Sequence, residues 1–279
     1  MKNIKFMLLC AVMMLLACAK NESVTPDFNE ANLASLSVEF DNIVGDRTLS
    51  LNNSTSLYTN KSGEKFSISM LQYYVSNLQV TATNGKTYSV NPDSSYFLIS
   101  GADKSTRFAR VRVPEGDYSK IKFTIGVDSL RSTMPVDMRT GVLDPAYGGG
   151  HDLTGMYWGW NSGYIFFKME GNSDVISNDV NGDPTGKHQF KFHIGGFGGY
   201  SAPTLNNVKI VSVDLTVGGI AKVRKARQSN VHLLVDVMKV FNGSNSFSIA
   251  RYPTVMFSDF STKIASNLTE MFKHDHTEN

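Results

Sequence analysis

The chain has 279 residues, with 27 Lys or Arg against 25 Asp or Glu and a formal net charge of +2. Without its first charged pair, Lys2 and Lys5, the basic count equals the 25 acidic residues, and this balance excludes a nucleic-acid partner. The two cysteines, Cys10 and Cys18, both lie near the N-terminus, which excludes a disulfide framework or a thiolate metal site in the body of the chain.

The opening segment carries Lys2 and Lys5 and then an apolar run, Phe6 to Leu16, too short to span a bilayer comfortably. Leu15-Leu16-Ala17-Cys18 follows and reads as a lipobox. Residues 1–17 are therefore expected to be a lipoprotein signal peptide, with Cys18 as the lipidation site and the lipid as the membrane attachment. Residues 18–34 are polar and aperiodic, a flexible tether. Residues 35–279 are expected to form one β domain.

Leu36 to Phe40 alternates and predicts a first strand. Phe66, Ile68 and Met70 alternate, an aromatic turn follows at Tyr73-Tyr74, and Leu78 and Val80 resume the pattern. Asn84-Gly85 signals a hairpin, with Tyr88 and Val90 on the return strand. Tyr96 to Ile99, Val111 to Val113 and Lys120 to Val127 are further strands, the last with Ile121, Phe123, Ile125 and Val127 on its buried face. Residues 128–155 form a long loop carrying Gly148-Gly149-Gly150 and His151; such loops inside regular domains tend to be functional. The segment Met156-Tyr157-Trp158-Gly159-Trp160 holds both tryptophans.

A polar loop over 172–187 precedes the strand His188 to Ile194, which breaks into a glycine corner through Gly199. Val211 to Val217 and Val231 to Phe241 predict strands. From Asp259 to Lys273 the period changes: Phe260, Ile264, Leu268 and Met271 fit one helical stripe, capped by Ser258 or Ser261. The pattern is mainly β, an antiparallel β-sandwich or barrel-like single domain with a C-terminal helix.

All six histidines lie in the second half. His188 shares a strand face with Phe190 and Phe192 and reads as packed. His232 shares a face with Leu234, Asp236 and Met238 and reads as core or as support for a site, with a ligand role the lesser alternative. His274 and His276 are expected to be solvated at a frayed end, a His-x-His tail that can capture adventitious metal. His193 instead alternates with Gln189 and Lys191, at a strand end beside Gly195-Gly196. If the 128–155 loop folds over that end, His151 and His193 approach each other, and two imidazoles without a thiolate favour copper, or zinc with a third ligand. No nucleophile elbow, zinc-protease helix, P-loop or dinucleotide fingerprint is present, so an enzyme is not expected. The alternative is a surface lipoprotein without metal that binds a glycan or a protein, with Trp158 and Trp160 as a stacking platform.

Tyr73-Tyr74-Val75-Ser76-Asn77-Leu78, Gly141-Val142-Leu143-Asp144-Pro145, the Trp158-to-Tyr164 segment, Lys168-Met169-Glu170-Gly171 and Phe192-His193-Ile194-Gly195 together carry a family likeness. Over residues 36–276 the chain resembles the MbnP-like copper-binding proteins, in their Bacteroidetes-type lipoprotein branch. The resemblance implies a lipid-anchored protein of the bacterial cell envelope, most simply at the outer membrane on its periplasmic or surface face. It implies one copper ion held by histidines. It also implies a tryptophan oxidised to a kynurenine-type product by a di-haem, MauG-related partner enzyme. His193 matches the family's Phe-His-x-Gly histidine, Trp158 or Trp160 the aromatic partner, and His151 is placed as second ligand by its position.

Overall fold

The structure is a computed structural model that describes residues 30–147, 155–159, 163–177 and 188–279. Cys18, His151 and Trp160 lie outside these residues. Strands of five residues or more are β1 (Leu33–Val44), β2 (Lys65–Ala82), β3 (Tyr96–Ser100), β4 (Phe108–Pro114) and β5 (Gly116–Ile125), then β6 (Gly163–Asn172), β7 (Gln189–Gly195), β8 (Lys209–Asp214), β9 (Ser229–Asp236) and β10 (Phe272–Glu278).

Two sheets form. The smaller runs β10-β9-β1, with β4 also paired to β1. The larger runs β8-β5-β2-β6-β7, with β3 also paired to β2. The expected mainly β, sandwich or barrel-like architecture is what the chain adopts. Most pairs are antiparallel, but β1 pairs β9 in parallel, Val38 opposite Val231 and Phe40 opposite Leu233. Alternation drives the core: Leu36, Val38 and Phe40 of β1 and Ile121, Phe123 and Ile125 of β5 are all buried. Phe40 meets Phe123 edge-on at 5.5 Å between ring centroids, which joins the two sheets. The Asn84-Gly85 hairpin forms as expected, with Gly85 at φ 86° and Val80 opposite Tyr88.

Two expectations are corrected. The aromatic turn at Tyr73-Tyr74 does not exist: both residues sit inside β2. Both are buried, Tyr73 in the main core and Tyr74 in a second cluster on the opposite face. A strand covered on both faces loses the alternation by which it is read. The C-terminal helix is confined to Ser261–Leu268 and has no side-chain cap, because its N-cap position is Phe260, which offers no acceptor; the Ser261 hydroxyl accepts a hydrogen bond from Asn207 Nδ2 (2.8 Å). The chain then continues as β10, paired antiparallel with β9. The predicted frayed end is thus a strand, and His274 and His276 belong to it. Among the described residues no helix is long and apolar enough to cross a membrane.

Candidate functional site

β6 and β7 carry the residues singled out by the sequence. They pair antiparallel, with Lys168 opposite His193 and Glu170 opposite Lys191. Phe190, Phe192 and Ile194 of β7 enter the main core. Alternation therefore leaves Gln189, Lys191 and His193 on the other face. There His193 Nε2 lies 2.7 Å from Glu170 Oε1, and each side chain is only 13% exposed.

The protonation states follow from this setting. Burial raises the Glu170 carboxyl, but its hydrogen bond with His193 and the charges of His193, Lys168 and Lys191 outweigh that, so it stays below the ordinary value. Burial pushes the His193 imidazole down, and Lys168 and Lys191 add to this against the pull of Glu170. An ionised Glu170 beside a neutral His193 is the consistent pair: Nε2–H donates to the carboxylate and Nδ1 keeps its lone pair. A carboxylate that fixes the tautomer of an imidazole in this way is the usual partner of a metal-ligating histidine.

The tryptophan segment packs along the same strands. Tyr157–Trp158 is a two-residue strand paired with Gly163 and Tyr164. Gly195, opposite Ile165 and two residues beyond His193, makes room for it: a Cβ there would lie 2.7 Å from Trp158 Cζ3 and 2.3 Å from the Tyr164 carbonyl oxygen. Trp158 is 5% exposed and meets Phe257 edge-on at 6.1 Å. Tyr164 contacts Tyr157 at 5.2 Å and Tyr74 at 5.7 Å. The Tyr74 hydroxyl donates to the Val142 carbonyl and the Tyr164 hydroxyl to the Leu143 carbonyl, which fastens that stretch of the 128–155 loop over the aromatic cluster. Lys168, 1% exposed, donates from Nζ to the Gly155 carbonyl at 3.1 Å. Burial lowers its amine from the ordinary lysine value.

His193 and Trp158 are thus linked through Gly195, two residues beyond the histidine on β7 and packed under the indole. Trp158 is buried, so it cannot serve as the open stacking platform of the glycan reading; Trp160 lies outside the described residues, as does His151. His188 stands at φ 54°, half-buried at the start of β7 with Nδ1 against the Ile176 carbonyl. His232, His274 and His276 are in the other sheet, on β9 and β10. Glu170 and Lys168 are the site residues the sequence reading passed over. Both stood in a quoted motif, but the register that sets them beside His193 is a tertiary property. Of the described residues, His193 fits a copper ligand through Nδ1 and Glu170 fits the carboxylate that orients it.

A family model described as MbnP matches residues 34–257. Among solved structures the chain is similar to MbnP from Methylosinus trichosporium, at 14% sequence identity and a TM-score of 0.49 over 81% of this chain and 82% of that one. No curated protein matches the chain.

Proposed function

The chain belongs to the MbnP family, and on that premise we propose that it is a copper-binding protein of the bacterial cell envelope, not an enzyme, in which His193 supplies one ligand. The observation that carries the reading is the pairing of His193 Nε2 with Glu170 Oε1 on a strand whose next outward position, Gly195, is packed against Trp158. Glu170 holds the imidazole with Nδ1 as the donor nitrogen. Imidazoles suit copper, and the body of the chain holds no thiol that copper would oxidise. His151 completes the ligand pair, and Trp158, whose indole packs on Gly195 two residues beyond His193, is the tryptophan suited to oxidation by a di-haem partner enzyme. Cys18 carries the lipid that holds the protein at the membrane, as in the Bacteroidetes-type branch.

The test is copper content. Protein without an affinity tag is equilibrated with Cu²⁺, desalted and analysed for metal. Roughly one copper per chain should be lost in His193→Ala, because the imidazole is the strongest donor of the described site. Copper retained in full by His193→Ala refutes the assignment.

A further inference from the structure

The smaller sheet brings together a second set of metal-binding side chains, far in sequence from the tryptophan segment. β9 and β10 pair so that His232 lies directly opposite His276. The next pair is Leu233 with His274, so Asp275 is an extra residue on β10, a β-bulge. In a regular strand Asp275 and His276 would point to opposite faces. The bulge turns the carboxylate onto the face of the two imidazoles, and bulges are known for re-aiming a side chain next to a functional site.

The three donor atoms form a small triangle. His232 Nδ1 is 3.4 Å from His276 Nδ1, His232 Nδ1 is 3.3 Å from Asp275 Oδ2, and His276 Nδ1 is 2.8 Å from the same oxygen. An ion with bonds of about 2.1 Å holds neighbouring ligands about 3.0–3.4 Å apart, between octahedral and tetrahedral geometry. Two sides of the triangle fall in this range and the third, at 2.8 Å, is slightly shorter, and one point about 1 Å above its plane lies about 2.1 Å from all three atoms. The far nitrogens face acids too: His232 Nε2 is 3.6 Å from Asp41 Oδ2 and His276 Nε2 is 3.7 Å from Glu278 Oε1. Each imidazole therefore has one nitrogen in the triangle and a carboxylate near the other, at charge-pairing rather than hydrogen-bonding distance.

We propose that His232, Asp275 and His276 form a divalent transition-metal site of the zinc type, built by the bulge and independent of His193. Two imidazoles and one carboxylate, with one side open to water, suit a borderline divalent cation. Asp41 and Glu278 add negative charge around a site whose single ligating carboxylate offsets only one of the two charges of a divalent ion. Side-chain exposures of 17% for His232, 44% for Asp275 and 47% for His276 leave an ion a direct path from solvent. Bound there, the ion ties β10 to β9 and should raise the thermal midpoint, since it binds the folded chain and finds no preformed site in the unfolded one.

Zinc calorimetry on untagged protein tests this. Wild type should show a saturable zinc site and a zinc-dependent rise in melting temperature. His276→Ala and Asp275→Asn should weaken that site at least tenfold and abolish the rise, while His193→Ala keeps both. Asp275→Asn preserves side-chain shape, so it removes the charge of the ligand and leaves the strand intact. Absence of a saturable zinc site in the wild type overturns the proposal. So does zinc affinity that is unchanged in Asp275→Asn and His276→Ala, or that is lost only in His193→Ala.

Discussion

His193 and Glu170 sit on adjacent antiparallel strands, two pairs out of register with each other, and meet at 2.7 Å with both side chains mostly buried. A buried imidazole and carboxylate cost desolvation unless each satisfies the other. Here the contact also fixes which nitrogen of His193 carries the proton.

Replacing Glu170 by Gln should therefore do two things. It removes a charge-assisted hydrogen bond, with a loss of stability of about 1–3 kcal/mol in urea unfolding. It also leaves the His193 tautomer unfixed and should weaken copper retention about 10–100-fold. An unfolding free energy and a copper affinity both equal to wild type would show that Glu170 orients nothing.

The same pair makes a pH prediction for the metal-free protein. Glu170 is held below its unfolded value, so its contribution is complete above that value and is lost as pH falls through the folded one. His193 is also held down, so folding favours its neutral form and weakens as pH drops below about 6.5, the ordinary histidine value. Both act in one direction. Stability should decline from neutral pH towards pH 4, and His193→Gln should remove the part of that decline that begins near pH 6.5. A decline identical in the variant would contradict the reading.

Gly195→Ala tests the seat of Trp158. The added methyl would meet the Tyr164 carbonyl oxygen at 2.3 Å and the indole at 2.7 Å, and backbone cannot yield as a side chain can. Overpacking of this kind costs about 1–3 kcal/mol or more. The variant should melt lower and shift the tryptophan fluorescence maximum; an unchanged spectrum would mean that the indole does not rest there.

Glu64 anchors the segment before the last helix. Its carboxylate accepts hydrogen bonds from Asn60 Nδ2 at 2.6 Å, from the Ser248 hydroxyl at 2.6 Å, and from the backbone N–H groups of Ile249 and Ala250. Burial raises this carboxyl, but the four hydrogen bonds outweigh it and keep it below the ordinary value. Glu64→Gln puts an amide donor among these donors and should destabilise by about 1–3 kcal/mol at neutral pH. The difference from wild type should shrink as pH falls below the ordinary glutamate value and through the lowered folded one, where the native carboxyl takes up its proton. Equal midpoints at pH 7 would dismiss the role.

Much of this was legible because half-buried strands announce themselves by alternation. The buried face of Ile121, Phe123 and Ile125, and the separation of His193 from Phe190 and Phe192, both follow from a period of two. What was hidden depends on long-range register. Glu170 becomes the partner of His193 only through the β6–β7 pairing, and His232 meets His276 only when β10 docks beside β9. Phe272 to Glu278 also carries too many charged residues to read as a strand, because an edge strand needs few apolar positions. Tyr73 and Tyr74 misled for the opposite reason, being buried on both faces of one strand.

The most direct measurement is anomalous scattering at the copper edge from a crystal grown with copper. The account predicts a peak about 2 Å from His193 Nδ1, with Glu170 still on Nε2 and Trp158 or its oxidised product alongside. Copper found only between His232 and His276, or nowhere within bonding reach of His193, would contradict it.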